Sequence, residues 1–240
     1  MYIKLFLCLM VMILAGCGGS SRVYAPVTDI STIEQIPQHG TYRVKKGETL
    51  YSIAWRYGQD YRYLARLNHI GPPWRVKTGQ LLRLSGPAVP VGRPVFAGHP
   101  GGRPLSSPNH PVFHPETDQQ VAGWIWPARG ALAGVYSSFN RGINIAGRYG
   151  QPVFATAAGQ VVYAGHGLRG YGNLVIIKHN SHWLSAYAWN SKLRVREGQK
   201  IRAGQEIATM GSFAQKTSPM LHFEIRKDGQ PVNPLRYLSR

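Results

Sequence analysis

The sequence predicts two folded modules in tandem: a small α+β unit of βααβ order over residues 41–84, then a mostly β domain over residues 123–240. Three observations carry that reading. Residues 85–122 hold eight prolines and several glycines, which excludes a helix or a central strand and marks a semi-stiff extended spacer. Upstream of it, apolar residues recur at helical spacing. Downstream, β-rich runs alternate with glycine and polar turns.

In the first module Tyr42-Arg43-Val44 alternates as a short strand and Lys46-Gly47-Glu48 supplies a turn. Leu50, Ile53, Ala54 and Tyr57 then fall at i, i+3, i+4 and i+7, the spacing of one helix face. Gly58 stops that helix and Asp60 can cap a second, with Leu64 and Ala65 facing inward and Asn68 near its end. Gly79 to Leu84 closes the unit as a turn and strand. In the second module Gln160–Ala164, Asn173–Lys178 and Trp183–Trp189 read as strands, and Asp228-Gly229 reads as a hairpin turn between Leu221–Arg226 and Val232. A pattern Val/Ile-basic-x-Gly-Gln/Glu-x-Leu/Ile begins at Val44, Val76, Val195 and Ile201. Its irregular spacing marks strand–turn–strand corners, not a repeat architecture.

Composition bounds the function. The 240 residues include 28 Lys or Arg against 10 Asp or Glu, a formal charge of +18, and 43% are hydrophobic. That apolar content builds cores and excludes wholesale disorder, while no apolar run reaches the roughly twenty residues of a membrane-spanning helix. The charge leaves nucleic acid, an anionic membrane or an anionic polymer such as a cell wall as partners. It divides as net +7 in residues 41–84 and net +11 in residues 123–240, so the excess lies in the modules. Met1 to Lys4 is a short basic start and Leu5 to Leu14 an apolar run of ten, the layout of a signal peptide over residues 1–16. Leu14-Ala15-Gly16-Cys17 resembles a bacterial lipobox, which implies lipidation of Cys17, a tether over residues 17–40 and a protein anchored in a membrane by its lipid. Gly18 after the cysteine favours, by resemblance to lipoprotein sorting, the outer membrane facing the periplasm. No nucleic-acid partner is expected.

The residues also carry two family resemblances. Tyr42 to Ala54, Leu64-Ala65-Arg66-Leu67-Asn68 and Val76 to Leu82 resemble a LysM domain across the whole first module. The resemblance implies binding of N-acetylglucosamine-containing glycans, hence of peptidoglycan, through Gly47, Glu48, Thr49, Leu50, Asn68, Ile70 and Trp74. Trp74 suits the apolar face of a sugar; it suits a lid over the small core equally well. Trp124-Ile125-Trp126-Pro127, Gly142 to Ala146, Leu168 to His179, Gly204 to Ser212 and Leu221 to Arg226 resemble a LytM-type domain of peptidase family M23, a mostly β, duplicated hybrid motif-like fold. Active members are zinc endopeptidases that cut peptidoglycan. Lipobox, LysM, spacer and LytM in that order resemble the NlpD-type lipoproteins, which pair LysM with a degenerate LytM domain and activate murein amidases.

Set against the family's metal site, this chain departs at four of five positions. Asn140 and Asn144 stand where His and Asp hold zinc, Trp189 and Met220 replace two histidines, and His222 alone remains. Catalytic zinc takes three imidazole, thiolate or carboxylate ligands and leaves a place for water. Neutral amides and one imidazole do not meet that need, so neither zinc nor catalysis is expected. His166, His179 and His182 lie near one another in sequence without a carboxylate beside them, and His179, which ends a strand-like run, reads as a satisfied surface histidine. His99, His110 and His114 are too sparse for a metal tract. By resemblance Asn140, Asn144, Tyr171, Tyr187, Trp189, Met220 and His222 surround the former catalytic groove. They would either form a partner groove or simply fill the vacated space.

The resulting expectation is a non-catalytic lipoprotein that binds peptidoglycan and activates a periplasmic N-acetylmuramoyl-L-alanine amidase. The alternatives are a wall-binding scaffold that activates nothing and, last, an active zinc endopeptidase. For the anchor, Cys17→Ser is expected to yield an unlipidated chain that leaves the membrane fraction, read by fractionation and mass spectrometry; a variant that stays with the outer membrane overturns the assignment. Its continued adhesion to murein is expected.

Overall fold

The computed structural model describes residues 34–86, 121, 123–213 and 218–239. The expected signal peptide, Cys17, residues 18–33 of the tether and all but the ends of the spacer lie outside them. The first module is built as the helical spacing predicts. β1 (Thr41–Arg43) pairs antiparallel with β2 (Leu81–Arg83), and two seven-residue helices, α1 (Leu50–Arg56) and α2 (Tyr61–Leu67), lie between. Thr49 and Ser52 form a reciprocal capping box at the start of α1, and Asp60 accepts from the Arg62 N–H at the start of α2. Such short helices are marginal alone; here Leu50, Ile53, Ala54, Leu64 and Ala65 are buried in one core.

The second module is an antiparallel β domain. Its strands are β3 (Leu132–Gly134), β4 (Ile143–Ala146), β5 (Pro152–Phe154), β6 (Gly159–Gly165), β7 (Asn173–Lys178), β8 (Trp183–Leu193), β9 (Lys200–Ile201), β10 (Glu206–Met210), β11 (Met220–Lys227) and β12 (Gln230–Val232). The main order is β3-β4-β11-β8-β7-β6-β9; β10 joins β5 to β8, and β12 lies beside β11. Asp228 and Gly229 both take positive φ, 50° and 80°, as a two-residue turn between β11 and β12 requires.

Alternation along the strands divides the interior in two. On β7, Val175 and Ile177 enter one cluster and Leu174 and Ile176 the other. On β11, Leu221, Phe223 and Ile225 face the first of these clusters. The opposite face presents Met220 and then three buried polar side chains, His222, Glu224 and Arg226.

The corners share one construction. At Lys45–Glu48, Lys77–Gln80, Arg148–Gln151, Arg196–Gln199 and Arg202–Gln205 the third residue is a glycine with φ between 75° and 85°. The fourth residue's N–H bonds to the first residue's carbonyl, at 3.0–3.2 Å. Its Glu or Gln side chain returns to accept from the first residue's N–H, at 2.8–3.2 Å. Each is a turn with glycine where a side chain would be strained, closed a second time by a side chain. Four of the five are the corners that the sequence pattern marks.

The two modules, read from the sequence as separated by a spacer, are packed together. The second face of the large sheet (Val162, Leu174, Ile176, Leu184, Ala186) belongs to the same apolar cluster as Leu50, Ile53, Trp55 and Leu64 of the small module. The Arg226 guanidinium, 1% exposed, sits 3.6 Å from the centre of the Trp55 ring and donates to the Trp55 carbonyl at 3.0 Å. Thr49 Oγ1 donates to the Val162 carbonyl at 3.1 Å, and Arg56 to that of Gly167 at 3.1 Å. Arg62 pairs with Asp228 in the β11–β12 turn, where a Cβ on Gly229 would come within 2.6 Å of the Asp60 backbone. The physical reason is that an antiparallel sheet with two apolar faces needs a cover on each. Arg226→Ala is expected to destabilise the chain by about 3–5 kcal/mol, because it leaves Glu224 buried without its cation. Urea unfolding measures this, and a Glu224→Gln, Arg226→Met pair is expected to recover part of the loss.

Candidate functional site

Of the five positions that by resemblance would hold the family's metal, Asn144 lies on β4, Trp189 on β8 and Met220 and His222 on β11, while Asn140 lies in the turn before β4. Asn144 on β4 stands opposite His222 on β11. The His222 Nδ1 lies 2.8 Å from Asn144 Oδ1 and its Nε2 lies 3.1 Å from Glu224 Oε1, so both ring nitrogens are engaged. Asn140 turns its amide nitrogen to the carbonyls of Val135 and Gly142, each at 3.0 Å, and leaves Oδ1 buried without a partner. The remaining donor is one neutral amide oxygen, which does not fit zinc. Among the described residues no three His, Cys, Asp or Glu side chains gather as a metal-holding group.

Trp189 fills the space beside them. Its residue takes φ 63°, a rare conformation for a bulky side chain, within a stretch where the β7–β8 and β8–β10 registers shift. The ring therefore turns to the His222 side, 5.1 Å from the imidazole and 5.3 Å from the Phe213 ring, with its indole N–H on the Gly170 carbonyl at 2.9 Å. Met220 and Tyr171 are buried in the same cluster. Tyr187 is not with them. It lies on the opposite face of β8, bonded to Thr156 and Ser185 and packed on Phe223. All seven residues expected around the groove are thus buried, with Asn144, Trp189, Met220 and His222 on strands of one face, Asn140 and Tyr171 in turns, and Tyr187 on the opposite face: the space is filled.

A buried polar relay runs along this face. Tyr171 donates to Glu224 Oε1 at 2.7 Å, and Arg226 donates to Glu224 Oε2 from both Nε, at 3.1 Å, and Nη2, at 3.0 Å. Burial pushes the Glu224 carboxyl up, but Arg226, His222 and Tyr171 more than offset it and bring its pKa down to about 2. Glu224 and Arg226 were not singled out from the sequence. The available signal was polar residues at every second position of a strand whose alternate positions are Leu221, Phe223 and Ile225.

The expected glycan residues divide. Gly47, Glu48, Thr49 and Trp74 line one cleft. Leu50 is core, Ile70 packs against the core, and neither lines it. Asn68 works inside the fold: its amide donates to the Leu64 and Arg83 carbonyls, both at 2.8 Å, and accepts from the Arg83 N–H at 2.6 Å, joining the end of α2 to β2. The Glu48 carboxylate is held by Arg56 at 2.6 Å, Tyr42 and the Lys45 N–H. His179 is satisfied by the Ala158 carbonyl and Ser185, both at 2.7 Å, and His182 meets Asp228 at 2.6 Å.

Comparison with known proteins agrees with both halves. The LysM domain description matches residues 42–85, and peptidase family M23 matches residues 138–234. A Pseudomonas aeruginosa protein described as a lipoprotein NlpD/LppB homolog is 45% identical, over 84% of this chain and 77% of its own length. The chain belongs to the NlpD/LppB lipoprotein family. Other members similar to it include the Escherichia coli murein hydrolase activator NlpD, 38% identical over 83% of this chain and 68% of that protein, and the E. coli uncharacterized lipoprotein YgeR, 39% identical over 95% and 88%.

On this NlpD/LppB chain several large apolar side chains are left in solvent, and none of them is among the buried residues of the filled site. Leu132 and Val135 are 43% and 62% exposed, at and just beyond edge strand β3, Phe139 is 64% exposed next to Asn140, and Tyr149 is 72% exposed between β4 and β5. The relay sets an acid limit. The folded pKa of Glu224 lies below its ordinary 4.5, so its stabilisation is complete above about pH 5 and is lost as pH falls toward 2. Glu224→Gln is expected to lower stability at pH 7 and to flatten the acid limb between pH 5 and 2, measured by thermal melts across that range.

Proposed function

We propose that the chain is a non-catalytic activator of a murein hydrolase, a periplasmic N-acetylmuramoyl-L-alanine amidase, held at the outer membrane by lipid on Cys17 and on peptidoglycan by the LysM domain. The observation that carries this is the filled metal face: the fold of a wall peptidase is kept while Trp189 and the Asn144–His222–Glu224 relay occupy the site of its chemistry. Relatives are named murein hydrolase activators, which gives the retained fold a use. Zinc has no part in this reading.

The buried Trp189 and Met220 offer no surface to a partner as the chain stands. The amidase contact is placed instead on the apolar rim of Leu132, Val135 and Phe139, since exposed apolar residues clustered near a polar border suit protein recognition. Activation is a population shift. The chain binds the open amidase more tightly than the closed one, and about 5.5 kcal/mol of difference turns a 1:99 mixture into 99:1.

The test mixes the lipid-free full chain with purified amidases and dye-labelled murein. Release is expected only when an amidase is present, and Val135→Ser, Phe139→Ser is expected to cut the stimulation about tenfold without changing the melting temperature, the loss of one or two interface anchors. Digestion of murein by the chain alone overturns the non-catalytic reading. Full stimulation by the double variant overturns the placement of the contact.

A further inference from the structure

Beside the start of β3 lies an open hollow of about 930 Å³, lined by Arg129, Gly130, Arg148, Tyr149, Pro152 and Phe154 among others. Its basic side is built by one amide. The Gln151 Nε2 donates to the Arg129 carbonyl at 2.6 Å, and its Oε1 accepts from the Arg148 N–H at 3.1 Å, so a single side chain fixes the backbone of both arginines. Gly130, at φ 154°, lets the Arg129 segment lie against the end of β4, where a Cβ would come within 1.7 Å of the Ala146 carbonyl oxygen. Both arginines are exposed, and among the described residues no carboxylate lines the hollow or pairs with either guanidinium. From this hollow the chain runs through β3 to the apolar rim. β3 is the last strand of the sheet order and pairs with β4 alone, so its outer edge is a template for another strand. Proteins commonly blunt such edges with charge or proline. Ala131 to Val135 contain neither, and the edge is interrupted only by the register shift between Leu132 and Gly134.

We propose that β3 receives an extended segment of the partner hydrolase as an added strand, with apolar side chains against Leu132 and Val135 and a carboxylate-bearing end held by Arg129 and Arg148. The inference rests on the activator reading and adds the form and charge of the segment bound. Main-chain pairing along the edge supplies affinity, and the side chains beside it supply selection. A guanidinium fork meets a carboxylate with two parallel hydrogen bonds, so two free forks at one end of the strand fix which end of the segment lies there. The occupant is a different protein and not a second copy. Each copy carries +18, and fields of one sign oppose self-pairing while they attract an acidic segment.

The lipid-free full chain is titrated into purified amidase with dye-labelled murein. Arg129→Gln, Arg148→Gln is expected to raise the half-stimulating concentration about tenfold, to leave maximal stimulation within about twofold, and to melt as the parent does. Arg129→Glu, Arg148→Glu is expected to weaken stimulation about a hundredfold, and at least one amidase carrying a single Asp→Lys or Glu→Lys change is expected to recover about tenfold with it. In the complex, backbone amides of residues 131–135 are expected to exchange hydrogen about tenfold more slowly than in the free chain. An unchanged titration with the glutamine pair, or unchanged exchange over residues 131–135, overturns the inference. Weaker adhesion of the glutamine pair to amidase-free murein, with stimulation kept, assigns the arginines to wall carboxylates and overturns it too. A parent chain that stimulates no amidase overturns the activator reading and this inference with it, an outcome distinct from silent arginines.

Discussion

The fold depends on one contact: the end of α1 seated on the β sheet with Arg226 clamped beneath Trp55. A buried guanidinium is costly unless its charge and donors are met. Here the carboxylate of Glu224 meets the charge from within the β domain, while the Trp55 carbonyl and ring meet the rest from the LysM domain. The charge of one module is therefore solvated by the other. Around that point the apolar face of the sheet and the inner faces of two short helices become one core, so neither helix must be stable alone. Relative domain motion is the usual expectation for modules joined by a spacer; a shared core with the buried Arg226–Trp55 contact across it opposes that motion here.

The filled metal face follows from the same economy of charge. An active wall peptidase must keep a dication, its anionic ligands and an open water position in a cleft. Asn140 and Asn144, at positions that by resemblance would carry His and Asp, bring no charge to hold a metal, and the His222 imidazole is held between two acceptors, Asn144 Oδ1 and Glu224 Oε1. Trp189 then occupies volume that an empty cleft would leave to water. The strained backbone at Trp189 is the cost of aiming a large ring into that space from a strand position that alternation assigns to the other side.

Much of this was legible in the residues because local chemistry decides it. The spacing Leu50, Ile53, Ala54 marks α1, Asp60 caps α2, and Asp228-Gly229 makes the turn between β11 and β12. β7 has the bounds that its apolar run indicates, Asn173–Lys178. What was not legible depends on long-range geometry. Nothing in Tyr187-Ala188-Trp189 announces that a bulge places both aromatic rings on opposite faces, and a proline-rich spacer says nothing about whether the modules it joins will dock. Asn68 matched the glycan motif by position, yet its side chain joins the end of α2 to β2, since motif matching does not distinguish a residue that holds a loop from one that faces a ligand.

The five double-closed turns separate two properties usually bound together. Every one begins with Lys or Arg, at Lys45, Lys77, Arg148, Arg196 and Arg202, all exposed. The bonds that close the turn use that residue's backbone N–H and carbonyl, never its cation. Five of the chain's positive charges are thus ornaments of the corners: neutralising all five would take the formal balance from +18 to +13 with every one of those hydrogen bonds intact. Attraction to an anionic polymer and the shape of the molecule are separable dials in this chain. Because the corners lie in both modules, that attraction is spread over the body as a diffuse field and not concentrated at a single point of attachment.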